Sequence, residues 1–534
     1  MDDICVAEDD GLTKGLGQRQ IQMIAMGSAI GTGLFLGTGG RLATAGPTVA
    51  ILYLICGLFG YLILRSLGEM IIYRPSSGSF VSYTREFWGE KAAYTAGWLY
   101  WFNWAMTAVA DATAIAIYIQ WFKQYWPVIG DIPQWVYALV VVVLVVGANL
   151  VSVKLFGEME FWFSMVKVGS LLIFLCVGTY FVIFGSPSGE PTGFSLINSA
   201  GGMLPNGLLP AIVLVQGVVF AYAGIELVGT ASGEAEDVEK VIPKAIRLTM
   251  VRISLFYVGS VVLLCLLLPY NKYSDKESPF VTFFSSIGVD AAGPIMQLIV
   301  ITAAFSSLNA GLYSTGRILR SLSMAGSGPK IGTKLSKGGV PYGGILLTSV
   351  VAFAGVFLNF IVPEAAFEVM LNLAALGTMA SWTAIVLSHI RFVKYSKSGE
   401  VKRPHYRAPL TPFLDYLTLL FLAGVVVLMA FDYPVGTYTL ATSVLFWPAL
   451  YIGWKALKNH HPVTQAEVDA ESEAKKNGTT GSAQTTAGTA GGTTVNGDDS
   501  GNRATAETDT AGDTTSGGSH PISRDAEDPG APRI

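Results

Sequence analysis

The sequence predicts an all-α polytopic membrane protein: about twelve transmembrane helices in a 5+5 inverted repeat, with helices 1 and 6 broken. Three observations carry this. Only 13% of the residues are charged, about half the share usual in a soluble chain, although a polar C-terminal stretch dilutes the apolar part. Apolar runs long enough to cross a bilayer as helix recur along the chain, and the ten-residue alternating segments of a membrane barrel are not visible. Two of those runs are interrupted by small residues at corresponding places.

The first run, residues 21–43, contains Gly27, Ser28, Gly31, Thr32 and Gly33 at its centre. Backbone left unpaired in hydrocarbon costs several kcal/mol per group, so a break there must be buried in protein or line a polar cavity. The half-helix after it, starting near Leu34, would aim free N–H groups and a positive dipole end into such a cavity, a seat for a carboxylate. Taken alone, the stretch reads equally well as a Gly-rich helix-packing face. Runs follow near 47–71, 93–121, 135–151 and 160–184. The sixth, near 208–231, breaks again at Ala221-Tyr222-Ala223-Gly224-Ile225-Glu226. Further runs lie near 249–269, 291–315, 343–361, 366–390, 412–431 and 437–456. Spans one and six thus open two sets of five that run in opposite directions. Paired Gly-interrupted segments of this kind point to an inverted-repeat transporter with its site at the midplane, which favours transport over packing.

Orientation follows from the basic residues. One set of loops carries Arg65, Arg74, Lys91, Lys154, Lys240, Lys244, Arg317, Arg320, Lys330, Arg391, Lys394 and Arg403, whereas the alternate loops hold only Arg41, Lys123, Lys272 and Lys276. By the positive-inside rule the first set is cytoplasmic, and an even span count puts both termini there. Domain boundaries are expected at 1–18 (cytoplasmic N-terminal segment), 19–458 (transmembrane domain) and 459–534, a Thr/Gly/Ala/Ser/Asp-rich tail expected to be disordered and cytoplasmic. The Asn477-Gly478-Thr479 sequon is discounted on that account. The acidic N-terminus lacks the order of a cleaved signal peptide, so the first span stays in the mature protein.

Four scattered cysteines imply neither a disulfide framework nor a metal site. Gly31-x-Gly33 lies inside a membrane segment and Gly326-Ser327-Gly328-Pro329-Lys330 lacks P-loop spacing, so neither is a phosphate loop. No cofactor, enzyme activity or nucleic-acid partner is expected.

Ionisable groups inside spans are functional suspects because they are costly there. Glu226 sits beside the second break, as a residue holding unwound backbone, as a gate, or both. Lys167 lies about seven residues past Glu160, roughly 10 Å into the fifth span. It reads either as a snorkelling lysine or as a buried amine able to lose a proton and couple transport to a proton gradient. Asn103 and Asp111, eight residues apart on one face of the third span, suit either recognition of a polar substrate side chain or interhelical hydrogen bonding. Ser306, Ser307 and Asn309 on the eighth span are weaker candidates of the same kind.

The strings Gly31-Thr32-Gly33-Leu34-Phe35, Gly68-Glu69-Met70 with Pro75 and Gly78-Ser79-Phe80, and Gly157-Glu158-Met159-Glu160-Phe161-Trp162-Phe163 resemble bacterial amino acid permeases of the amino acid–polyamine–organocation superfamily. The likeness is collinear from about residue 14 to 458. Within that family, Gln216-Gly217-Val218-Val219-Phe220, Ser278-Pro279-Phe280-Val281-Thr282-Phe283-Phe284, Gly316-Arg317-Ile318-Leu319-Arg320 and Phe431-Asp432-Tyr433-Pro434 look most like the L-asparagine permeases. The resemblance implies the same inverted-repeat fold. It implies that a substrate carboxylate meets Thr32 and the amides around Gly31 and Gly33, and that the ammonium meets carbonyls near Ala29, Phe220 and Ala223. Phe220 looks like an aromatic lid and Glu226 like the nearby gating carboxylate. Lys167 is similar to a fifth-span lysine that, in a proton-coupled relative, stands where sodium-driven cousins hold an ion. The expectation is therefore an L-asparagine importer of the cell membrane, a proton symporter working by alternating access with lipid around it. Permeases for glycine, D-alanine or D-serine, and a non-transporting amino acid sensor, are the alternatives.

Overall fold

Helices fill the apolar stretches in the expected order. The computed structural model describes residues 20, 23, 30–457 (apart from 187–188, 190, 233–236, 337–338 and 362–365) and 467. The second to fifth spans are Thr48–Tyr73, Glu90–Gln120, Gln134–Val151 and Val153–Phe184. The eighth to eleventh are Ala292–Met324, Tyr342–Ile361, Ala366–Lys397 and Phe413–Met429. Among the described residues, nine helices are long and apolar enough to cross a membrane.

Among the described residues, four spans are interrupted. The first, as far as it is described, consists of Thr32–Phe35 and Gly37–Ala45. The sixth is Leu208–Val213, Val215–Ala221 and Leu227–Ser232, with Gly224 at φ +94° between the last two. A side chain at that φ would be strained, which is why a glycine turns the chain there. The seventh joins Val238–Arg252 to Ser260–Leu267 through a wide π-turn, and the last bends between Val435–Ser443 and Phe446–Leu457.

Several helices outrun the apolar stretches that marked them, the seventh starting at Val238 and the eighth ending at Met324, and two boundaries bear on the site. The half-helix of the first span starts at Thr32 rather than near Leu34, because Gly31 is extended and its carbonyl takes the Leu34 and Phe35 amides at 3.2 and 3.1 Å. The fifth span starts at Val153, not at residue 160, because the Ser152 hydroxyl caps it by accepting from the Leu155 amide at 3.1 Å. Glu160 is consequently a mid-helix residue.

The two sets of five pack as a two-fold relation demands: the first span touches the sixth, the second the seventh, the third the eighth and the fourth the ninth. The third and eighth spans form the buried axis, every residue from Ser306 to Met324 being buried. Glycines let the axis pack tightly: a Cβ on Gly377 would lie 2.6 Å from Asn103 Cβ, and one on Gly311 would lie 2.7 Å from the Trp104 ring. Around the axis, the fourth, ninth, eleventh and twelfth spans expose Val143, Leu144, Val350, Phe357, Leu420, Val427 and Trp447. Such faces suit hydrocarbon rather than water.

Candidate functional site

The breaks of the first and sixth spans meet at the centre of the bundle. A Cβ on Gly33 would fall 2.6 Å from Ala221 Cα and 3.1 Å from Phe220 Cδ1, so glycine alone admits this approach. A Cβ on Gly31 would fall 3.0 Å from the Ser307 hydroxyl of the eighth span. The Thr32 and Gly33 amides open the half-helix and so have no upstream helical acceptor. Phe220 is buried against Gly33, and Ala223 lies in the turn where its amide bonds the Phe220 carbonyl at 2.9 Å. Ala29, Gly27 and Ser28 lie outside the described residues.

The third span supplies an acid to the same place. Thr32 Oγ1 donates to Asp111 Oδ1 at 2.7 Å, both residues being buried. Asp111 Oδ2 is buried with no hydrogen-bond partner among the described residues. The Ser307 hydroxyl of the eighth span also bears on this carboxylate, and a buried carboxylate oxygen short of donors suits a ligand that brings one. Asn103 is kept apart: its Oδ1 accepts from Thr378 of the tenth span at 3.1 Å, while its Nδ2 is unpaired among the described residues.

Glu226 turns back on its own break. Its oxygens lie 3.3 and 3.2 Å from the Gly224 amide, and Oε2 accepts from the Trp382 indole of the tenth span at 3.3 Å. This carboxylate braces the unwound turn against a neighbouring helix.

Lys167 is wholly buried, so it does not snorkel to an interface. Its ammonium donates to Ser306 Oγ at 2.8 Å and stands 3.8 Å from Glu160 Oε1, while Ser306 donates to Glu160 at 2.7–2.8 Å. Lys167 also contributes an opposing charge at Asp111. Asn309 accepts from Asn149 of the fourth span at 2.7 Å, an interhelical tie.

Two ionisable groups of interest escaped the sequence reading. Glu160 served there only to mark where the fifth span begins, although its i, i+7 spacing from Lys167 places both on one face. Arg41 counted only as a loop charge. It is buried, points Nη1 at the Gly33 carbonyl 3.4 Å away, and fills the space where Cβ atoms on Gly37 and Gly217 would come within 2.3 and 2.2 Å of the guanidinium. Asp432, in the connection after the eleventh span, accepts from Gln216 Nε2 at 2.7 Å. Burial pushes its carboxyl above the ordinary value, against the Gln216 hydrogen bond and the Arg41 charge. Arg41 therefore stands between the break and Asp432, on the side poor in lysine and arginine.

At the opposite, basic end, His389 bridges two buried carboxylates, Nε2 to Glu69 at 3.1 Å and Nδ1 to Asp415 at 3.0 Å. Arg403 and the Ala408 amide also bond Glu69, so the second, tenth and eleventh spans are knotted together there.

A family model described as "Amino acid permease" matches residues 20–464. The L-asparagine permease of Salmonella typhimurium is 57% identical over 449 residues, 84% of this chain and 90% of that protein. The L-asparagine permease of Escherichia coli is 54% identical over 473 residues, 88% and 94% respectively. That of Streptomyces coelicolor is 52% identical over 449 residues, 84% and 91%.

Proposed function

The chain belongs to the amino acid permease family, and from that premise we propose that it imports L-asparagine across the cell membrane by proton symport. It is a transporter, not an enzyme. The observation that carries the substrate is the majority identity with L-asparagine permeases along most of the chain. The basic end of the bundle faces the cytoplasm, with both termini, and the permease domain of residues 19–458 lies between the short N-terminal segment and the polar tail.

At the meeting of the breaks, the amino acid carboxylate sits on the Gly31, Thr32 and Gly33 amides and the half-helix dipole. The ammonium faces carbonyls at Ala29, Phe220 and Ala223, and Phe220 closes over the ligand. The Thr32 hydroxyl has one hydrogen and gives it to Asp111, so the carboxylate depends on the backbone amides. Asp111 Oδ2 supplies what the asparagine side-chain amide needs, an acceptor for its NH₂. An ionised aspartate side chain brings no such hydrogen and meets like charge instead, which favours asparagine over aspartate. Asn103, two turns away, is a secondary candidate for the same side chain. Glu226 holds the gate formed by the sixth-span turn, and Lys167 carries the coupling charge.

The deciding experiment is labelled L-asparagine uptake into proteoliposomes under an imposed inward proton gradient or an inward sodium gradient. Accumulation driven by protons supports the reading. Accumulation that requires sodium overturns the coupling, and binding without any uptake points to a sensor.

A further inference from the structure

The buried polar line on the fifth span continues past Lys167. Glu160, two turns earlier, is fully buried. Lys167 Nζ donates to Ser306 Oγ at 2.8 Å, and Ser306 Oγ donates onward to Glu160 Oε1 and Oε2 at 2.7 and 2.8 Å. The direct Lys167–Glu160 separation is longer, 3.8 Å, and the Ser164 hydroxyl stands 3.5 Å from Glu160 Oε1. A hydroxyl that accepts from an ammonium while donating to a carboxylate is wired in one direction.

We infer that Glu160 is the acceptor of the coupling proton, which leaves Lys167 through Ser306 rather than into solvent. An N–H bond of Lys167 breaks and its proton joins Ser306 Oγ, while the Ser306 proton moves to Glu160. The products are a neutral amine, an unchanged hydroxyl and a neutral carboxylic acid. Each bonding pair stays on its heavy atom, and the trio is net neutral before and after. Discharge of Lys167 into solvent would instead strand the Glu160 carboxylate as a lone buried charge, which costs several kcal/mol. Among the described residues, Asp111 of the third span also sets an opposing charge against the amine, which favours the ammonium while the site is empty. Pairing of Asp111 with a substrate donor weakens that hold and releases the proton toward Glu160.

The exit is built from the same two spans. One turn before Glu160, Phe156 stacks on Tyr313 at 3.9 Å with the ring planes 8° apart. Both belong to a small apolar cluster with Val153, Val241, Val340 and Ile345, separate from the main core. Arg317 lies 3.4 Å from the Tyr313 ring centre. The stack lies one turn from Glu160 toward the start of the fifth span, on the proton's way to the basic end.

The inference rests on the proton-coupled reading, and the test separates the two. The full chain in proteoliposomes is assayed for proton-driven accumulation and for asparagine counterflow without a gradient. Ser306→Ala should cut accumulation at least tenfold with counterflow within twofold of the parent, and Ser306→Thr, which keeps a hydroxyl, should restore accumulation. Glu160→Gln should reproduce the Ser306→Ala pattern; if it does not fold, the serine pair decides alone. Parent-like accumulation in Ser306→Ala overturns the relay and leaves proton coupling standing. Loss of counterflow in all variants, Ser306→Thr included, also overturns it by making the trio a packing element. A parent protein driven by sodium removes the underlying reading instead.

Discussion

The Glu226 carboxylate takes the indole hydrogen of Trp382 at 3.3 Å while holding the Gly224 amide at 3.2–3.3 Å. One acid thus ties the unwound turn of the sixth span to the tenth. Glu226→Ala leaves both donors without this acceptor and should cost about 1–3 kcal/mol of stability. Glu226→Gln keeps an acceptor for the indole and should cost less. Thermal unfolding of the two variants in detergent checks the order, and equal melting temperatures would count against the brace.

Gly33→Ala places a methyl 2.6 Å from Ala221 Cα, a backbone atom that cannot swing aside. The two breaks must separate, so asparagine binding should fall at least tenfold. Gly424→Ala, whose methyl would meet nothing within 4 Å, is the matched control and should bind as the parent does. Binding by scintillation proximity reads both. Parent-like binding in Gly33→Ala would remove the site from the meeting of the breaks.

Asp111→Asn turns a pure acceptor into a mixed donor and acceptor at the unpaired Oδ2 position. Asparagine uptake should drop about ten- to a hundredfold, the effect of roughly 1.5–3 kcal/mol at a charged hydrogen bond, and discrimination against aspartate should shrink. Competition of labelled asparagine uptake by unlabelled aspartate measures it. An unchanged aspartate/asparagine ratio would place side-chain recognition elsewhere.

Asp432 predicts a pH effect. Its carboxyl is raised above 3.8 by burial, so the native state prefers the protonated acid. The associated stability is present below pH 3.8 and declines as pH rises through the elevated value. Asp432→Asn should flatten that decline. Gln216→Leu removes a hydrogen bond that favours the charged form and should shift the decline to higher pH. Melting temperature followed from below pH 3.8 up to neutral pH decides, and identical profiles for all three proteins would refute the assignment.

Much of the architecture was legible from residue type. Glycines inside apolar runs marked both breaks, and the acids and lysine inside spans marked Asp111, Glu226 and Lys167. Hydropathy set the limits of what could be seen. An apolar window ends where polar residues begin, so it cut the fifth span at residue 160, although the Ser152 cap carries the helix to Val153 and buries Glu160. Helical spacing put Asn103 and Asp111 on one face, but eight residues are about 12 Å of rise. Their different neighbours, Thr378 and Thr32, come from other spans and had no local signature. Arg41 escaped for a related reason, since what buries it beside its own span's Gly33 carbonyl and Gly37 is Gly217 of the sixth span, remote in sequence.

The buried axis and its exposed surround differ in length as well as burial. The third and eighth spans have 31 and 33 residues, the fourth and eleventh only 18 and 17. At about 1.5 Å per residue the outer pair measures roughly 26–27 Å, close to a hydrocarbon layer of about 30 Å, whereas the axis exceeds 45 Å. A thicker or thinner bilayer therefore strains the surround first, where a few degrees of tilt absorb the mismatch. The helices that position Asp111 and Ser306 are sheltered from membrane thickness by the helices that meet the lipid.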